Sequence, residues 1–165
     1  MDWEVITAVA ETVGAFAVVA SLIYLGVQTR NSATEDRART MHDMSVEFSN
    51  WQMQVASDPA MTKIWTNGLV DYNRLNDMEK AQFLLAAGAI NRILDNIFQQ
   101  YQAGRLKETI WKPYAFAFSV VANSSGSQEY MKVREGFHTE AFIEYWKEIQ
   151  ENSANTTPTY LKEID

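Results

Sequence analysis

Between Glu11 and Arg30 the chain carries eighteen consecutive residues without a charge, most of them aliphatic or small. At a rise of about 1.5 Å per residue, a helix over those positions spans roughly 27 Å, close to the hydrocarbon thickness of a bilayer. Trp3 and Tyr24 stand near its two ends, where amphipathic rings favour the membrane–water boundary. A core helix of this composition would need apolar neighbours on every side. No other stretch of the 165 residues is apolar enough to wrap it. The first expectation is a transmembrane anchor over residues 1–30, with the lipid bilayer as its partner.

Two faces of this helix differ. Thr7, Ala10, Gly14, Ala17, Ser21, Tyr24 and Gln28 recur at spacings of three and four, while Ile6, Val9, Val13, Phe16, Ala20, Ile23 and Val27 form a bulkier, wholly apolar set. Lipid tails are as oily as any side chain, so helices in a membrane associate through close backbone approach and interhelical hydrogen bonds. The small, polar face is the expected seam for self-association into a homo-oligomer, and its 3.5-residue period favours left-handed crossings. Glu11 is the odd residue. It belongs either at the headgroup level or, in an oligomer, in a ring of carboxylates at the mouth of a pore.

The flanks set an orientation. Asp2, Glu4 and Glu11 lie on the N-terminal side without any Lys or Arg, and Arg30, Arg37 and Arg39 follow the run. Positive residues stay in the cytoplasm. The expected placement is the inner (cytoplasmic) membrane, with the N-terminus outside and the following domain inside. A cleaved export signal would want a basic start, which this acidic one lacks.

Residues 31–151 suffice for one cytoplasmic helical domain with its own core, followed by a loose tail over 152–165. Over residues 31–165 thirteen Lys and Arg face eighteen Asp and Glu. Nucleic acid is therefore not an expected partner, because phosphate affinity needs clustered cations. The chain has no cysteine and two histidines, which removes disulfides and thiolate chemistry and leaves little for a metal site. No cofactor is expected.

The apolar spacing predicts helices throughout, and no segment alternates with the period of a strand. Gly and Pro are absent from Gln28 to Asp58, so the anchor helix is expected to run on, with one break near residues 31–34. Met41, Met44, Phe48, Trp51 and Val55 give it an apolar stripe. Asp58-Pro59 starts a second helix, expected to end at Asn67-Gly68. Asn76-Asp-Met-Glu79 has the form of a capping box. It opens a helix whose seam is Phe83, Ala87, Ile90, Leu94, Ile97 and Tyr101, with Gly104 as its stop. Further helices are expected from Glu108 to Val121, near 127–136, and from Thr139 to about Glu151. Asn123-Ser-Ser-Gly-Ser127 reads as a loop, and His138 as a helix-entry residue.

Several stretches together resemble a large group of bacterial proteins with one N-terminal membrane helix, a helical cytoplasmic domain and no assigned activity. They are Val18-Val-Ala-Ser-Leu-Ile-Tyr-Leu-Gly-Val-Gln-Thr-Arg30, Asp58-Pro59 with Ile64-Trp65 and Gly68, and Arg92-Ile-Leu-Asp-Asn-Ile-Phe98 with Gln100-Tyr101, Gly104 and Trp111. The resemblance covers most of residues 5–150. It departs at Lys107, where an acidic residue is usual, and at Asp95, where the longer Glu is usual. What it implies is fold and location, with no reaction.

Candidate chemistry is sparse. Arg92, Asn96 and Gln100 lie one helical turn apart with Asp95 beside them. They form either a binding edge for a polar ligand or a buried network that pairs Arg92 with Asp95. Arg37-Ala-Arg-Thr-Met-His42 fits the Arg-x4-His pattern of HEPN-type ribonucleases, whose dimers assemble an acid–base site from it. Its place beside the anchor and the acidic balance weigh against that reading. No paired carboxylates, phosphate loop or nucleophile–base pair stands at a recognisable spacing. The expected protein is a non-enzymatic all-α single-pass membrane protein that self-associates, with a pore as its sharper form. Packing against other membrane helices as an accessory subunit is the alternative.

Overall fold

A computed structural model describes residues 3–152 of the chain. The side chains of Val5, Ala10, Ala33, Thr34 and Asn152 lie outside the description, as do residues 153–165, where most of the expected tail falls. Every described element is helical: α1 (Trp3–Ser57), α2 (Pro59–Val70), α3 (Asp77–Gln102), α4 (Glu108–Ala122), α5 (Ser125–Arg134) and α6 (Glu140–Asn152), with 3₁₀ turns at Tyr72–Arg74 and Glu135–Phe137. The chain divides into two compact units, Met1–Met41 and His42–Asp165. The first consists of α1 alone over its described residues; the second contains the end of α1 and all of α2–α6.

Helix α1 runs unbroken through residues 31–34, where a break was expected; the Asn, Ser and Thr there are weak helix formers, but no Gly or Pro interrupts the run. It stops where Asp58 turns to extended backbone and its carboxylate accepts the Ala60 N–H at 2.9 Å. Pro59 at the first helical position has no N–H to leave unpaired. The Thr62 hydroxyl donates back to the Val55 carbonyl at 2.6 Å, tying the corner between α1 and α2.

Helix α3 is the axis of the second unit. Its capping box forms as the sequence implies: the Asn76 side chain accepts the Glu79 N–H, and Glu79 accepts the Asn76 N–H. Phe83, Ala87, Ile90, Leu94 and Ile97 are all buried along one seam. Gly104 ends the run with φ 67°, a left-handed conformation that costs a Cβ-bearing residue energy. The Gly104 N–H reaches the Tyr101 carbonyl and the Arg105 N–H the Gln100 carbonyl, the paired bonds of a Schellman stop.

Around α3 the core is aromatic. Trp65 stacks on Phe83 at 5.2 Å between centroids, and Trp51 meets Trp65 edge-on at 4.9 Å. At the other end Phe98 stacks on Tyr145 at 4.8 Å, with Trp111 and Phe142 against the same ring. Such pairs contribute about 0.5–1.5 kcal/mol each beyond area burial.

Two sequence expectations are corrected here. Gly68 does not end α2, which runs on to Val70, and Gly126 and Ser127 are the first turn of α5 instead of a loop. Ser124 caps that turn by accepting the Ser127 N–H. Both glycines are there for packing. A Cβ on either would overlap the ring of Phe83, and one on Gly126 would also strike the Gly68 carbonyl.

Candidate functional site

The first candidate is the apolar part of α1. Among the described residues nothing covers it: the most apolar eighteen-residue window is 0% buried. Within the expected seam, Thr7, Gly14, Ala17, Ser21, Tyr24 and Gln28 are all exposed, and so is Glu11; the side chain of Ala10 lies outside the described residues. A Cβ on Gly14 would meet no other atom within 4 Å. The described residues therefore give no packing reason for a glycine there.

Four hydroxyls along this part of the helix are turned inward on their own backbone. Thr7 donates to Trp3 O at 3.0 Å, Thr12 to Ala8 O, Ser21 to Ala17 O and Thr29 to Leu25 O, each of these three at 2.8 Å. A hydroxyl satisfied one turn back needs no water. Its proton is spent, so Thr7 and Ser21 can accept from a neighbouring helix but no longer donate. That shifts the seam's chemistry from hydrogen bonding toward close approach at Gly14 and Ala17.

A second site was not visible from spacing. Asp95, Tyr130, His138 and Thr139 meet between α3, α5 and the start of α6. The Tyr130 hydroxyl lies 2.9 Å from His138 Nε2, and Asp95 Oδ2 lies 3.4 Å from His138 Nδ1. Asp95 also accepts the Thr139 N–H at 3.0 Å, the Thr139 hydroxyl at 2.7 Å and the Gln99 amide at 3.1 Å. The imidazole is 2% exposed. Burial pushes its pKa below the usual histidine value; the neighbouring Asp95 opposes that shift and Arg92 adds to it. A neutral ring with its proton on Nδ1 suits both neighbours, facing the carboxylate on one side and accepting the Tyr130 hydroxyl on the other. Burial likewise raises the Tyr130 pKa, with Arg134 and Arg92 working against it.

Asp95, His138 and Tyr130 stand in series, and all three side chains are buried among the described residues. The cluster acts as a lock. The Asp95 carboxylate satisfies the backbone where α6 begins, and His138 joins it to α5. His138 thus does stand at a helix entry, held by a residue 43 positions earlier in the chain. No local signal points to that pairing.

The rest of the expected polar stripe separates from Asp95. Arg92 and Asn96 are exposed, and Gln100 accepts from Arg105 Nη1 at 3.2 Å. The pairing of Arg92 with Asp95 does not form, because the Asp95 carboxylate faces Thr139, Gln99 and His138 instead. Arg37 and His42 are both exposed. Among the described residues no three His, Asp or Glu side chains converge to hold a metal ion. No protein-family model matches the chain, and no characterised protein or solved structure matches it either. The resemblance to the bacterial membrane-helix group rests on the residues quoted for it.

Proposed function

We propose that this is a single-pass inner-membrane protein of the bacterial group it resembles. In this reading its N-terminal helix crosses the bilayer with the N-terminus outside and assembles the chain into a homo-oligomer. One observation carries the membrane reading: an apolar helix of spanning length that the described residues leave uncovered. Exposed in water, that surface would drive aggregation; in lipid it is at home. The back-bonded hydroxyls support the same environment. The charge asymmetry around the run supports the orientation.

Self-association is supported by Gly14, a glycine that packs against no other side chain among the described residues. The deciding measurement is the native mass of the full chain purified alone in mild detergent. A single defined oligomer that Gly14→Leu converts to monomer is the expected result. An oligomer indifferent to Gly14→Leu sinks the seam, and a monomer in the parent chain points to packing against other membrane helices. The pore form of the proposal adds that Glu11→Gln alters cation conductance in reconstituted bilayers; absence of any conductance removes it. The role is assembly and not catalysis.

A further inference from the structure

We propose that the half-open apolar cavity lined by the last turns of α1 with α2, α3 and α4 binds a single acyl chain taken from the bilayer, an inference that rests on the membrane reading above. The cavity has a volume of about 340 Å³, within the range of small-molecule sites. Ile90 and Leu94 line it from the buried seam of α3, and the rings of Phe48, Trp51 and Trp65 line it from α1 and α2. Phe116 also borders it and is 71% exposed.

The polarity of the lining selects the ligand. Among the described residues no charged one borders the cavity, and Gln52, itself exposed, supplies the only polar side chain there besides the indoles. The Trp51 indole N–H is already given to the Ala86 carbonyl at 3.0 Å. A charged metabolite would lose its hydration here and find no partner. A hydrocarbon chain needs none. It would supply the dispersion contacts that an empty apolar cavity lacks, and its polar end would stay beside Gln52 in water. A protein tethered to a bilayer is surrounded by such chains.

Brominated dodecanoate quenches tryptophan on contact, and Trp51 and Trp65 are in the wall. The experiment titrates it into the full chain carrying Trp3→Phe, held in phosphatidylcholine nanodiscs, so that the anchor's own tryptophan is silent. Saturable quenching is expected. Ala117→Phe and Val120→Phe, which fill the cavity from α4, are each expected to raise the half-saturating concentration about tenfold or more, with helical content unchanged. Quenching that never saturates, or that a folded filling variant leaves unchanged, overturns the proposal. Co-elution of the chain with the discs tests the anchor separately. A chain that is not retained defeats the membrane reading and, with it, the bilayer as the source of the chain. Retention without saturable quenching defeats the cavity alone.

Discussion

His138 is the residue where environment most changes chemistry. Its burial holds the imidazole below its ordinary pKa of about 6.5. As pH falls, the unfolded chain therefore takes up this proton before the folded one does. The stability linked to His138 is complete above the ordinary value and declines as pH drops from there toward the lowered one. Melting temperatures followed by tryptophan fluorescence from about pH 7.5 to about pH 5.5 are expected to fall less steeply in His138→Gln than in the parent. Equal slopes would remove the histidine from the pH response. Tyr130→Phe tests the other end of the cluster. It leaves His138 Nε2 buried without its donor, a loss of about 1–3 kcal/mol in unfolding free energy. A neutral result would mean that water replaces the hydroxyl.

At the scale of elements, the helix ends follow rules that operate within a few residues. Gly104 is the clearest: with φ at 67°, Gly104→Ala is expected to cost about 1–2 kcal/mol, read as a lowered melting temperature without loss of helical content. A variant as stable as the parent would show that the turn relaxes out of the left-handed region. The Asn76–Glu79 box, the Asp58-Pro59 corner and the α3 seam were legible for the same reason, since each signal and its consequence lie within a turn or two. Gly68 and Gly126 were misread because a glycine near Asn or Ser normally marks a turn. Here the reason for glycine is a ring on another helix, which no local window contains. The Asp95–His138 pairing was hidden in the same way: its two halves are distant in sequence, and neither carries a mark of its partner. Even in the expected seam of α1, spacing located the small face but not where its hydroxyl protons go.

The molecule as a whole combines an apolar helix that no other described residue covers with a helical unit closed around α3. The same chain thus presents oil outward in one part and gathers it inward in the other. Within the closed unit, Phe83 is fully buried with the backbone of two helices against its ring. Gly68→Ala is expected to destabilise by about 1–3 kcal/mol, the usual cost of overpacking a core. Adding Phe83→Leu to that variant should restore part of the loss, a coupling that a double-mutant cycle measures directly. Strict additivity would mean that the ring already has room to move. The consequence reaches into the history of the sequence. Positions 68, 83 and 126 share one volume, so they cannot drift independently. A lineage that shrinks the ring frees Gly68 to acquire a side chain but leaves Gly126 held by the Gly68 carbonyl, and one that keeps the ring inherits both glycines as an obligation.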